Sequence, residues 1–247
     1  MAYRRTPAVQ ERLDALRSTL IDSAIGLIAR HGYSGCSISA VATEAGVGTG
    51  TVYRHFTNKG ELFTEVFRIV CSREVSAAVE AGERARNTDG THVAAVSASV
   101  QTFAERALRA PTLAYALLVE PVDPRVDTQR LLFRESFRDV FAATIEAAIE
   151  SGEIPEQDAS VTAACIVGAI GEALVLPLAR ETTNPTRNGV ADSTRNGVSD
   201  SARIGVSDSA RIGVSDSARI GVSDSAIIPA LLTFTLRSLG SQHECHA

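Results

Sequence analysis

The 247-residue sequence has no tryptophan, a single methionine and only 5% aromatic residues. Its core must be assembled from Ala, Leu, Val and Ile, and the abundance of Ala favours helices. The four cysteines, Cys36, Cys71, Cys165 and Cys245, are scattered without paired spacing. That excludes a disulfide framework and points to reduced thiols. No apolar run reads as long enough to span a bilayer, and no apolar stretch follows the N-terminal arginines as a signal peptide requires. A cytoplasmic chain with no membrane partner is the expectation. A nucleophile elbow, a phosphate loop and paired metal-ligand spacing are also missing, so neither an enzyme, a cofactor nor a metal site is expected. The tail His243-Glu-Cys-His246 offers ligand types without a second cluster and reads as a frayed terminus.

Lysine is almost absent too: Lys59 is the only one among 24 basic residues. The net charge of −5 excludes a polymer-like basic nucleic-acid binder. Its distribution is uneven. Residues 1–60 carry seven basic groups (Arg4, Arg5, Arg12, Arg17, Arg30, Arg54, Lys59) against four acidic ones (Glu11, Asp14, Asp22, Glu44), a balance of +3 that leaves −8 on the remainder. Contact with phosphates is therefore expected from the N-terminal end.

Helical periodicity dominates what is present. Leu13, Leu16, Leu20, Ala24 and Leu27 make one apolar stripe on a helix over 9–30, with Gly32 as its stop. Ser37 stands as N-cap before Ile38, Val41, Ala42 and Ala45, and Gly46 closes that short helix. A second short helix follows at once, with Val52 and Phe56 one turn apart on its back. Asn58 and Glu61 form an N-cap and reciprocal partner for a long helix through Leu62, Val66 and Ile69. Further helices are predicted over 91–109, 111–119, 124–151, 155–180 and 226–239, with Pro and Gly at the joints. The fold class is all-α: an N-terminal three-helix helix-turn-helix domain over 1–62, then a helical domain over 63–247.

Residues 186–225 depart from this pattern. They read TRNGVADS, TRNGVSDS and then ARIGVSDS three times. Each octapeptide is neutral and rich in Gly, Ser and Asp, the composition of a flexible linker inserted before the last helix. A small β-solenoid, suggested by the alternating Ile and Val of the later units, fits less well, and a calcium repeat less well still, because the units lack Gly pairs and each has one carboxylate.

Two short helices joined by a tight Gly-containing turn cross steeply and push the second helix's first turn outward, a shape suited to a DNA major groove. Thr49, Gly50 and Thr51 are small there and allow close approach to base edges. Tyr53, Arg54 and His55 are donor types for phosphates, and Ser37 adds a hydroxyl at a helix N-terminus. Lys59 lies in a helix's first turn, where the macrodipole disfavours a cation, so a docked phosphate would relieve the conflict.

The stretch VATEAGVGTGTVYRHFTNKGELF resembles the signature of the TetR/AcrR family of bacterial regulators, over about the first quarter of the chain. The resemblance implies a ligand-responsive, sequence-specific transcriptional regulator, a repressor by family habit, that binds a palindromic operator as a homodimer. It implies Ser37, Thr49, Gly50, Thr51, Tyr53, His55 and Lys59 as DNA-facing positions; Arg54 occupies a variable one. Gly48 stands where a Ser N-cap is common, and Gly60 replaces a frequent Glu. The repeat is foreign to the family plan.

In that family the last two helices form a four-helix dimer interface. Ala163, Ala164, Gly168, Ala169 and Gly171 offer small residues for it, and Leu231, Leu232, Phe234 and Leu236 a broad apolar surface. A pocket for a small-molecule effector is expected among the middle helices, with Phe103, Tyr115, Phe133, Phe137 and Phe141 as aromatic walls. Tyr115, Glu120 and Arg134 would supply polar contacts. The alternative function is a scaffold protein whose helix-turn-helix no longer reads DNA.

Overall fold

A computed structural model describes residues 6–120, 122–183 and 224–240. Among them every regular element is an α-helix: α1 (Pro7–Gly35), α2 (Ile38–Glu44), α3 (Thr49–His55), α4 (Lys59–Asp89), α5 (His92–Arg109), α6 (Pro111–Leu118), α7 (Pro124–Glu150), α8 (Ala159–Thr183) and α9 (Asp224–Ser238). The all-α expectation holds. Most of the repeat and the His243–His246 tail lie outside the described residues, as does Cys245. Cys36 and Cys71 are free and buried, and Cys165 is free and exposed.

Two apolar cores organise the chain. The first gathers Leu20, Ala24 and Ile28 of α1, Val41 of α2, Val52 of α3, and Leu62, Phe63, Val66 and Phe67 of α4. Ala116 and Leu117 of α6 and Val126 of α7 enter the same core, so helices beyond the first four reach into it. The second core joins Val96 and Val100 of α5, Phe137, Phe141 and Ile145 of α7, Ile166, Ile170 and Leu174 of α8, and Leu231 of α9. Where α4 and α5 cross, a Cβ on Gly82 would lie 2.7 Å from Ser99 Oγ and 3.1 Å from the Ala95 carbonyl. Glycine there lets the two backbones approach, and Ser99 Oγ donates to Ala78 O at 2.8 Å.

Several boundaries differ from the sequence expectation, each for a local reason. α1 continues past Arg30 to Gly35, and Gly32 breaks it from within at φ 69°, ψ −179°. α8 starts at Ala159 rather than Pro155, because the Asp158 carboxylate accepts the Val161 N–H at 2.9 Å and caps the helix there. Pro177 and Pro229 lie inside α8 and α9, as the expected helices over 155–180 and 226–239 had them. α9 begins with Asp224 and so takes in the last two residues of the final octapeptide.

α8 also overturns the expectation that no apolar run reaches membrane-spanning length. By length and composition it could cross a bilayer. A core helix passes the same test, and Ala163, Ile166, Ile170, Leu174 and Leu178 form an inward stripe at three- and four-residue spacing.

Candidate nucleic-acid interface

The turn between α2 and α3 sets how the second short helix is presented. Gly46 takes φ +68°, its N–H donates to Thr43 O at 3.1 Å, and the Val47 N–H donates to Ala42 O at 2.9 Å. This Schellman ending needs a left-handed residue, which glycine supplies without a Cβ clash. α3 then starts after Gly48, with Val52 and Phe56 fully buried behind it as expected. The Arg17 guanidinium of α1 lies 4.9 Å from the centre of the Phe56 ring and braces that anchor.

The outward face of α3 is open. Thr49, Gly50, Tyr53 and Arg54 are exposed, and Thr51 and His55 are partly so. Tyr53 leaves 56% of its surface in water, unusual for an aromatic residue in a chain that has so few. A Cβ on Gly50 would meet nothing within 4 Å, and its φ is not positive. Neither packing nor backbone geometry asks for glycine there, although glycine in a helix costs about 1 kcal/mol relative to alanine. The Arg54 guanidinium donates to Thr51 Oγ1 at 3.0 Å, aligning both groups along the face. Ser37 caps α2 by accepting the Ala40 N–H at 3.1 Å, and its exposed hydroxyl lies 2.9 Å from that of Ser39.

Lys59 is placed differently from the other candidates. Its ammonium folds back, donates to Tyr33 O at 2.6 Å and sits 3.7 Å from the centre of the Tyr33 ring. The end of α1 thus supplies the negative pole that a docked phosphate was expected to supply. Burial pulls the Lys59 pKa below its ordinary value, while the neighbouring Cys36 and Glu120 act upward. Asn58 caps α4 as expected, accepting the Glu61 N–H at 2.9 Å. Glu61 reciprocates one residue earlier, at the Thr57 N–H, and those hydrogen bonds hold its carboxyl below the usual range.

Glu120 does not line the cavity among the middle helices, where a polar contact was expected of it. Its carboxylate accepts the backbone N–H groups of Tyr33 at 3.0 Å and Ser34 at 3.3 Å, and the Ser34 hydroxyl at 3.0 Å. Arg130 of α7 caps the last turn of α6 by donating to the carbonyls of Ala116, Leu117 and Glu120. Asp123, three residues further on, stands against Gly60 so closely that a Cβ there would collide with its carboxylate. The glycine where the family often has Glu therefore has a packing cause. Sequence reasoning found neither Asp123 nor Arg130, and no local spacing announces partners so far apart in the chain.

Residues 20–66, which contain α2, α3 and the start of α4, match the family described as bacterial regulatory proteins, tetR family. Residues 20–66 thus form a tetR-family domain. It is 39% identical over 49 residues to a fatty acid metabolism regulator protein of Bacillus subtilis, covering 20% of this chain and 25% of that one. Over 51 residues it is 41% identical to a probable acrEF/envCD operon repressor of Escherichia coli K12, covering 21% and 23%. The matched stretch thus spans about a quarter of those relatives. The fold extends further. A TetR-family regulator from Syntrophomonas wolfei superposes with a TM-score of 0.63 at 13% identity, covering 94% of this chain and 99% of that one. The Bacillus subtilis FadR structure, solved with stearoyl-CoA, superposes at 0.56 and 20% identity, covering 68% and 94%.

Beyond this tetR-family domain, the chain has a cavity of about 130 Å³ between α5, α7 and α8. Phe103, Phe133, Phe137 and Phe141 wall it, with Arg134 at its rim, and Leu118 and Val119 close one end. Tyr115 does not line it; it packs against the second core. A groove of about 250 Å³ between α4, α5 and α7 is larger but carries Glu83, Arg86 and His92 and none of the aromatic candidates.

The outer faces of α8 and α9 remain uncovered. Val161, Ala164, Cys165, Gly168, Glu172 and Leu176 are exposed at helical spacing on α8, and Pro229, Ala230 and Phe234 on α9. The expected interface residues divide: Ala163 and Leu231 turn into the chain's own core, whereas Ala164, Gly168 and Phe234 face outward. Helical phase decides this, since one stripe of each helix serves the core and another remains free.

Proposed function

We propose that this chain is a cytoplasmic, sequence-specific transcriptional regulator, a ligand-responsive repressor that binds a palindromic operator as a homodimer. The observation that carries the reading is Gly50, a helix glycine with open space before it on a face that also exposes Tyr53, Arg54 and Thr49. A bare backbone on a projecting helix suits the floor of a major groove, where a side chain would hold the helix away from base edges. Thr49, Gly50 and Thr51 read bases in this proposal, and Ser37, Tyr53, Arg54 and His55 contact phosphates. Lys59 supports them from behind through Tyr33.

One helix this short reads few base pairs, so a second copy related by a twofold axis is required for specificity. The uncovered stripes on α8 and α9 support that copy, with small residues on α8 allowing close helix approach. Gly168 and Glu172 belong both to the free stripe and to the cavity wall, so the second copy would cover the cavity's edge. An effector that binds the DNA-incompetent arrangement more tightly, by about 1–3 kcal/mol, would release the operator.

The test is selection of bound duplexes from random DNA by the purified full chain, with a Thr51→Ala/Tyr53→Ala double variant as control. Recovery of a palindrome by the unaltered chain alone supports the reading. Recovery of nothing beyond background, with and without added effectors, transfers the protein to the scaffold reading.

A further inference from the structure

We propose that the cavity between α5, α7 and α8 takes a single-ring aromatic carboxylate, its ring among Phe133, Phe137 and Gly171 and its carboxylate on Arg134. The proposal rests on the ligand-responsive reading above and names the class of ligand. Size comes first. At about 130 Å³ the space is close to the ~150 Å³ apolar cavity that takes up one benzene. A Cβ added to Gly168 or Gly171 would meet nothing within 4 Å, so these two positions on α8 leave the room unfilled.

The walls then restrict the chemistry. Among the described residues, Arg134 and Glu172 are the only polar side chains lining the cavity, and none contributes a side-chain hydroxyl, amide or imidazole. A ligand hydrogen-bonding group placed deep inside would be desolvated without a partner, at a cost of about 1–3 kcal/mol. The inner part of the ligand is therefore apolar. Phe133 and Phe137 meet edge to face at 5.0 Å and Phe103 and Phe137 at 5.1 Å, leaving ring faces and edges to which another ring adds favourably.

The rim supplies the charge. Along α7, Arg130 pairs with Asp127, and Arg138 pairs with Glu135 and Asp139. Arg134, between them, has no ion pair or hydrogen bond among the described residues and is exposed. Its planar fork matches a carboxylate through two parallel hydrogen bonds. Glu172, the other rim charge, disfavours a second negative group and so limits the ligand to one.

The test is calorimetric titration of the full chain with benzoate, octanoate and benzylamine, on the unaltered protein and on Arg134→Ala, Arg138→Ala and Gly171→Val. Benzoate should bind saturably at one site per chain, weaken about tenfold or more in Arg134→Ala, and be excluded by Gly171→Val. Arg138→Ala should leave it unchanged. Circular dichroism confirms that each variant keeps its helicity. Absence of benzoate binding to the unaltered protein, or equal binding by Arg134→Ala, overturns the proposal. Tighter binding of octanoate overturns the ring, and tighter binding of benzylamine moves the anchor to Glu172 and overturns the carboxylate. Retention of the selected duplex is measured on the same preparation. Benzoate binding by a chain that ignores DNA keeps the ligand assignment and removes the regulator reading; duplex binding without benzoate does the reverse.

Discussion

Glu120, at the end of α6, accepts the backbone N–H of Tyr33 at 3.0 Å across 87 residues of sequence. The bond falls just after the Gly32 break, where α1 has stopped using its own backbone donors. Leu118 and Val119, immediately before Glu120, line the cavity. The wall of the cavity and the contact that ties the chain after α6 to α1 are therefore consecutive residues.

Glu120→Ala leaves the Tyr33 and Ser34 N–H groups without their acceptor. We expect a loss of about 1–3 kcal/mol in urea unfolding, as for other orphaned donors. Weaker operator binding should accompany it. Unchanged stability would show that water replaces the carboxylate at no cost.

Gly50→Leu separates reading from folding. The position faces open space, so the variant should keep its thermal midpoint or raise it slightly, because leucine favours a helix over glycine by up to about 1 kcal/mol. Operator binding, followed by gel retardation, should be lost. A variant that still binds would end the case for a bare backbone in the groove.

Lys59→Ala distinguishes a phosphate contact from an internal tie. Loss of the bond to Tyr33 O should lower stability by about 1–3 kcal/mol, read by denaturation. The slope of operator affinity against salt should stay unchanged. A slope reduced by about one would instead assign the ammonium to a phosphate.

Glu153→Gln carries a pH signature. The carboxylate accepts the N–H groups of His92 at 2.7 Å and Val93 at 3.1 Å at the start of α5, with His92 Nδ1 at 2.7 Å. Burial opposes its charge, but these hydrogen bonds outweigh that and hold the carboxyl below its ordinary 4.5. A depressed folded-state pKa means stability that is present above the unfolded value and lost as pH falls through the folded one. The variant should therefore cost about 1–3 kcal/mol at neutral pH, and the difference should shrink as the medium is acidified below about 4.5. A difference independent of pH would remove charge from the explanation.

Much of the N-terminal domain could be read from the sequence because its signals are local. The caps at Ser37 and Asn58, the Gly46 ending and the Val52–Phe56 anchor each act within a few residues. Helix starts and stops beyond it were less legible. α8 starts at Ala159 rather than at residue 155, because the Asp158 carboxylate caps it by accepting the Val161 N–H. Glu120 read as a pocket residue because polarity near aromatic residues is a sequence-level association, whereas its partners lie in α1.

By itself, the sequence determined the all-helical class, the turn that projects α3 and the chemical types on that helix's outer face. These follow from backbone geometry, capping and period, which act over one or two turns. The tertiary structure alone decided which side of α8 meets the core and which stays free. It also turned Lys59 toward Tyr33, sent Glu120 to the α1 break and left Arg134 at the cavity rim without an ion pair among the described residues. Those outcomes depend on contacts between residues far apart in the chain, and such contacts leave no spacing behind to be read.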